Sequence, residues 1–324
     1  MLDDATVAHH VRTGWQIPVT AARRVAAGLD ANARAYEVGA ATGERFFVKV
    51  RQVPAGPAAV LVPLHLRRCG IAAVVAPVET SGGAPWLDAD GHQVLVYPFV
   101  AGTGAWRTGL ADAQWLEYAE FLAALHRTEV PPDLAVHVEE EAFDPPSLAR
   151  LAETAARVGE PIVDPSPAQR ELVALWPRHE RRIAELAARA AGLRDLVRAR
   201  RPPNVLCHTD IHTGNVLVDA SGHLSIVDWD APLLAPRERD LMFVLGGPWS
   251  DQPVTAHQER LFWRGYGTHE VDRTVLAYYL CERIVDDVEQ FARRILADDV
   301  DEPTRRTDLY WLERNLSGDA PPHP

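Results

Sequence analysis

The chain has 324 residues, 47% of them hydrophobic, and a formal net charge of −12. That length is long for one compact core and predicts two lobes. The acidity argues against a general nucleic-acid binder and fits either plain solubility or a cationic small substrate. No apolar run approaches the roughly 20 residues needed to span a bilayer. The polar start MLDDATVAHH does not have the pattern of a signal peptide. Three scattered cysteines, Cys69, Cys207 and Cys281, give neither a disulfide framework nor a zinc spacing, so a cytoplasmic protein without a membrane segment is expected.

In chain order, residues 22–52 read as a β meander, with RAYEV and ERFFVKV separated by the turn material GAATG. Residues 57–70 have helical spacing and end on Gly70. IAAVVAPVET and HQVLVYPFV read as two further strands joined by the loop SGGAPWLDADG, so residues 1–100 predict a small β-rich lobe with one helix. YPFVAGTGA (97–105) is a linker by composition. The pattern then turns helical. ADAQWLEYAEFLAALHR puts Trp115, Tyr118, Phe121, Leu122 and Leu125 on one face, and residues 147–199 form two helices broken at GEPIVDPSP. Two short strands, in PNVLCHTD and HLSIVDWD, precede a helical return over 255–316.

The chemistry concentrates in residues 208–217, HTDIHTGNVL. Asp210 and Asn215 are five apart, and Asp228 follows thirteen residues after Asn215 at the end of the apolar run HLSIV. A turn between half-buried strands carries polar groups into a cleft on a rigid support. On its own, D-x-x-x-x-N is ordinary turn material. With His208 two residues earlier and IVDWD at the right distance, it matches the protein-kinase pattern. There the Asp takes the proton of the attacking hydroxyl, and the Asn and the later Asp hold Mg²⁺. One carboxylate and one amide oxygen are the hard ligands that magnesium prefers. A rival metal-hydrolase reading uses His208, Asp210 and His212 as ligands, but it leaves Asn215 and Asp228 without roles.

HTDIHTGNVL and SIVDWDAP resemble the catalytic and metal-binding motifs of the aminoglycoside phosphotransferase family, kinase relatives that phosphorylate small-molecule hydroxyls. RERDLMFVLGG resembles that family's continuation, with Asp240 as a loop-bracing aspartate, and AYYLCERIVDDVEQF resembles the helix of its spectinomycin phosphotransferase branch. The resemblance implies an α+β, two-lobed protein-kinase-like fold. Residues 1–100 would be the antiparallel β-rich nucleotide lobe, with a hinge at about 97–104, and residues 105–324 the larger, mostly helical lobe. It implies Asp210 as catalytic base, Asn215 and Asp228 as Mg²⁺ ligands, and Lys49 as the contact to the phosphates of ATP or GTP. Phe47, Lys49 and Arg51 would share one strand face, and Phe46, Val48 and Val50 the other. Pro98 has no N–H, so Phe99 or Val100 would bond the base edge.

No G-x-G-x-x-G covers the phosphates, and Asp30 and Asn32 of GLDANARAY are the candidates for that place. Residues 54–70 contain no Asp or Glu to pair with Lys49, so either phosphate alone holds it or a carboxylate arrives from elsewhere. Asp230 reads as a turn cap or as a group behind the metal ligands, and His212 as a loop brace. Leu280, Ile284, Val288, Phe291 and Ile295 form one stripe, with Glu282, Asp286 and Glu289 almost opposite. By periodicity alone that acidic face is solvated. By resemblance it borders the acceptor cleft, with Tyr278 and Trp249 as aromatic walls. The expected partners are a nucleotide and a small cationic substrate, spectinomycin or a similar aminocyclitol, with no nucleic acid, in a monomer or weak homodimer. The alternatives are a kinase of choline, homoserine, a sugar or another metabolite, and a nucleotide-binding protein without transfer activity.

Overall fold

The computed structural model describes residues 2–25, 33–246 and 254–318. The chain divides into two compact units. The first comprises residues 1–139, 205–234 and 260–267; the second comprises 140–204, 235–259 and 268–324.

The first unit opens with a helix, α1 (Asp4–Trp15), capped by Asp3, whose carboxylate accepts from the Thr6 N–H at 2.8 Å. Val7, Ala8, Val11 and Trp15 recur at three- and four-residue steps and are buried. Two helices therefore stand in residues 1–100 where one was expected, because the polar opening residues mask a short apolar stripe. A five-stranded antiparallel sheet follows. Its members are β1 (Val19–Val25), β2 (Ala33–Ala40), β3 (Arg45–Arg51), β4 (Leu87–Ala89) and β5 (His92–Pro98), in the order β1-β2-β3-β5-β4. Helix α2 (Ala58–Arg68) lies between β3 and β4 in the chain.

Alternation along β3 decides what each face does. Val48 and Val50 point into a core with Tyr36, Val38, Val94, Val96 and the apolar stripe of α1. Lys49, paired in register with Ala35 on β2 and Leu95 on β5, points the other way. Leu95 packs there with Val60 and Leu64 of α2. The two-face reading of β3 holds. The strand expected in IAAVVAPVET does not form. That segment makes one isolated parallel bridge, Val74 to Ile226, because a single pair of bonds to the Ile226 backbone satisfies it.

After the linker, β6 (Gly102–Gly104) pairs with β8 (Val216–Asp219), which pairs with β9 (Leu224–Ile226). A Cβ on Gly102 would meet the Val218 carbonyl at 3.0 Å, so glycine permits this approach. Helix α3 (Ala105–Thr108) leads into α4 (Asp112–Arg127), whose Trp115, Tyr118, Phe121, Leu122 and Leu125 are all buried as the spacing predicts. A short α5 (Pro132–Ala135) follows. Strand β7 (Val205–Cys207) pairs with β10 (Leu233–Ala235) and enters the HTDIHTGN loop, which ends in a 3-10 turn over Thr213–Asn215.

The second unit is helical. Helices α6 (Pro146–Val158) and α7 (Pro167–Arg200) are separated at the expected break, and α8 (Glu238–Leu245) follows β10. Helix α9 (Ala256–Tyr266) passes into the first unit at Arg260. Helix α10 (Arg273–Leu296) and α11 (Glu302–Ser317) complete the unit, and α10 packs against α6, α7, α8 and α11. Among the described residues no helix is long and apolar enough to cross a membrane.

Candidate active site

The two loops that carry the motif residues are tied together by backbone-directed bonds. His208 is buried, its Nε2 donates to the Val227 carbonyl at 3.0 Å, and its Nδ1 accepts from the Asp210 N–H at 3.3 Å. The Thr209 hydroxyl donates to the Ala231 carbonyl at 2.8 Å, and the Val227 N–H donates to the Asn215 carbonyl at 3.0 Å. Helix α4 supports the same loop: the Tyr118 hydroxyl donates to the Ile211 carbonyl at 2.8 Å, and Phe121 meets Trp229 edge-on. Thr209 and Asp228 sit at φ 75° and 66°, a left-handed backbone that costs a non-glycine residue energy and that these bonds hold in place. With both ring nitrogens engaged, His208 has no lone pair for a metal, which removes the metal-hydrolase rival.

Within this frame the Asn215 side-chain N–H₂ donates to the Asp210 carbonyl at 2.8 Å and lies 3.3 Å from Asp210 Oδ2. Its amide oxygen is thereby turned away from Asp210. His212 accepts from the Gly214 N–H at 3.0 Å and places Nε2 3.6 Å from Asp210 Oδ2, in keeping with a loop brace.

The carboxylate that Lys49 needs comes from the loop after β9. Lys49 Nζ donates to both oxygens of Asp230, at 3.0 and 2.8 Å, and stands 3.5 Å from Asp228 Oδ1. Arg51, two residues along the same strand face, donates to Asp230 Oδ2 at 2.9 Å. Burial alone would push the Asp230 carboxyl up, but the Lys49 ammonium and the Arg51 guanidinium outweigh it and hold the group below the usual carboxylate range.

Lys49, Asn215, Asp228, Asp230 and the linker residues Tyr97, Pro98, Phe99 and Val100 line one cavity of about 380 Å³. Phe47, Ala35, Leu217 and Val227 give it apolar walls. The Phe99 N–H donates to the Arg45 carbonyl at 3.1 Å, and Arg45 caps the Phe99 ring at 3.7 Å. The Phe99 N–H is therefore spent inside the sheet. That same bond makes Phe46–Pro98 a wide pair of the ladder, so the Pro98 carbonyl turns away from β3. Asp30 and Asn32 lie outside the described residues, as does Trp249.

The acidic face of α10 is not a solvated one. Glu282 and Glu289 are buried, and so is Tyr278. Arg239 from α8 reaches Glu141 Oε2 at 3.2 Å and Glu282 Oε2 at 3.6 Å, and the Tyr279 hydroxyl donates to Glu141 at 3.3 Å. Glu289 is held by Thr154 at 3.1 Å and by Arg150 and Arg293. Burial pushes the Glu282 carboxyl up to about 7 against the pull of Arg239, with Asp286 and Glu141 adding to the rise. Asp286 is partly exposed and accepts from the Gln290 side chain at 2.6 Å.

A family model described as the phosphotransferase enzyme family matches residues 23–279. The chain belongs to the phosphotransferase enzyme family. Among solved structures, spectinomycin phosphotransferase APH(9)-Ia in complex with ADP and spectinomycin is similar over 96% of this chain and 94% of its own, at 25% identity and a TM-score of 0.85. Its AMP-bound complex is similar over 98% and 96%, at 23% identity and a TM-score of 0.83. Choline kinase LicA from Streptococcus pneumoniae, at 12% identity and a TM-score of 0.58 over 97% and 98% of the two chains, shares the fold alone. No curated protein matches the chain. The fold is thus the α+β kinase-like one, an antiparallel sheet followed by a mostly helical part.

What sequence reasoning did not assign is the contact itself: Asp230, read as a turn cap or a group behind the metal ligands, is the carboxylate that binds Lys49 and Arg51. One signal was present: Arg51 sits two residues from Lys49, hence on the same face of β3. The other half of the contact lies 181 residues away in the chain, where spacing carries no information.

Proposed function

We propose that the protein is a small-molecule kinase. It transfers the γ-phosphoryl group of ATP or GTP to a hydroxyl of a small cationic acceptor, an aminocyclitol of the spectinomycin type being favoured. The observation that carries this reading is the convergence of Lys49, Asn215 and Asp228 on the cavity lined by Pro98–Val100, beside an Asp210 hydrogen-bonded to Asn215. The base would lie against the linker, donating to the Pro98 carbonyl and accepting from the Val100 N–H, since the Phe99 N–H is taken. Phe99 would contribute as wall. Lys49 would hold the phosphates. Asp30 and Asn32 remain the candidates for covering them. In this reading residues 1–100 with the 97–104 hinge act as the nucleotide lobe, and residues 105–324 bear the catalytic loop and the acceptor pocket.

Asn215 and Asp228 both line the cavity, and an amide oxygen with a carboxylate is a hard-oxygen donor set that fits Mg²⁺. When bound, the ion supplies positive charge against the phosphate oxygens. The chain's own work is placement and proton removal. Asp210 orients the acceptor hydroxyl and takes its proton as the new O–P bond forms and the bond to the β-phosphate oxygen breaks, releasing ADP or GDP. On the acceptor side, Asp286 is the partly exposed carboxylate of α10. Tyr278, Glu282 and Trp249 would be the further members of the acceptor pocket, the first two being buried on the same helix.

The test is an ADP-release screen of the purified protein with MgATP against spectinomycin, aminoglycosides, choline, ethanolamine, homoserine and sugars, with Asp210→Ala alongside. Spectinomycin or a related aminocyclitol should give turnover that Asp210→Ala lowers by about 10²-fold or more. Turnover with a metabolite and none with the antibiotics would replace the acceptor assignment. Undiminished turnover in Asp210→Ala would sink the mechanism.

A further inference from the structure

We propose that Asp230 is a positioning residue that aims Lys49 at the nucleotide phosphates. It supplies from the loop after β9 the carboxylate that α2 does not contain. The inference rests on the nucleotide reading of the cavity above.

The helix beside the lysine strand has nothing to offer. Its residues Ala58–Arg68 include no acid, and its polar side chains are engaged elsewhere. His65 meets the Glu129 carbonyl, Arg67 donates to the Ala72 carbonyl, and Arg68 pairs with Glu79. Asp230 makes the bond in its place, with both oxygens within 3.0 Å of Lys49 Nζ. Asp228, by contrast, is 3.5 Å away through one oxygen, the longer and single contact of the two, which leaves its carboxylate the freer one. Both acids of DWD line the cavity, but Asp230 is the one that grips the lysine with both oxygens.

The carboxylate is itself fixed. Arg51 binds Oδ2 from the adjoining position of the same strand face, and the neighbouring Ala231 carbonyl is held by the Thr209 hydroxyl. Lysine is a point charge on a flexible stem, and a stem already restrained needs less ordering when phosphoryl transfer begins. The same arrangement keeps a negative charge near the phosphates. A carboxylate that positions the lysine should therefore cost ground-state nucleotide affinity while raising the rate.

That opposition gives the test. ADP affinity is measured by calorimetry in EDTA, and ADP release from MgATP is measured for wild type, Asp230→Asn, Lys49→Ala and the double variant. Asp230→Asn is expected to lower kcat by about 10- to 100-fold while metal-free ADP binds as tightly as to wild type or tighter. In the Lys49→Ala background it should lower kcat less than about twofold further, because Asp230 acts through Lys49. Asp230→Glu should recover most of the rate, and Arg51→Ala, which leaves Asp230 on Lys49 but less restrained, should lose less rate than Asp230→Asn.

Four results overturn the inference. They are an equal kcat loss from Asp230→Asn with and without Lys49, weakened metal-free ADP binding, a rate restored by raised Mg²⁺ (which would make Asp230 a metal ligand), and an Arg51→Ala loss as large as that of Asp230→Asn. Should Asp230→Asn not fold, the Asp230→Glu and Arg51→Ala arms still decide the question. A wild type that binds no ADP would remove the nucleotide reading itself, whereas binding with any of these four results removes the inference alone.

Discussion

Glu282 shows how one side chain can report on its surroundings. It sits on α10 with 6% of its surface exposed, and it shares Arg239 with Glu141. Arg239 lies nearer Glu141, and Asp286 adds like charge from one turn along the helix, so one guanidinium serves more than one carboxylate. Burial consequently raises the Glu282 carboxyl from 4.5 to about 7. The sign of the linkage follows. A group whose folded value is raised binds more protons folded than unfolded across that window, so its contribution to stability is full below about 4.5 and is lost as pH rises through about 7. The loss should amount to roughly 3 kcal/mol at most, from the size of the rise. Glu282→Gln removes the titration. Denaturation midpoints of wild type and variant, compared from pH 5 to 8, should diverge in favour of the variant as pH increases. A difference that stays constant over that range would mean that Glu282 is ionised throughout and fully compensated by Arg239.

Among the elements, those set by local periodicity were legible and those set by a distant partner were not. The alternation of β3 placed Lys49 on the face opposite Val48 and Val50, and the spacing in α4 named its buried stripe. The residue types and spacing of HTDIHTGN and IVDWD marked the two loops as partners, and the structure bonds them together and brings Asn215 and Asp228 to one cavity. The strand expected at 71–80 failed because an apolar run satisfies either a ladder or a single bridge, and the sequence does not say which. The acidic stripe of α10 was read with the right period, but its burial depends on Arg239 and Arg150, which arrive from other helices. Close packing between helices is equally silent in a sequence, and two glycines separate the cases. A Cβ on Gly265 of α9 would lie 2.8 Å from the Leu116 carbonyl and 2.9 Å from Ala119 Cβ on α4, the helix whose Tyr118 bonds the Ile211 carbonyl of the HTDIHTGN loop. Gly265→Ala should therefore destabilise by about 1–3 kcal/mol despite its better helix propensity. Gly192, in α7, has open space around it, and Gly192→Ala should stabilise by up to about 1 kcal/mol. Chemical denaturation of the two variants checks both signs, and a stabilised Gly265→Ala would show that α9 and α4 are not in close contact there.

At the scale of the whole molecule, the division of the chain matters more than its length. The residues that line the cavity beside Lys49 come from three stretches widely separated in sequence: Ala33–Lys49, Val75–Val100 and Asn215–Asp230. All three belong to the same compact unit. That unit recruits residues 205–234 from beyond the first helices of the other unit, so the 208–215 loop and the lysine strand share one body of contacts. A ligand held wholly within one unit lends its binding energy first to the openings of that unit, by about 2.7 kcal/mol at a hundredfold excess over Kd. Hydrogen exchange with and without saturating ADP should therefore show new protection in β3, in residues 97–100 and in the 208–230 loops. The amides of α7 and α10 should exchange at unchanged rates at short times. Protection of α10 equal to that of β3 would mean that the two units open together. Protection of neither would mean that the cavity beside Lys49 is not where the nucleotide binds.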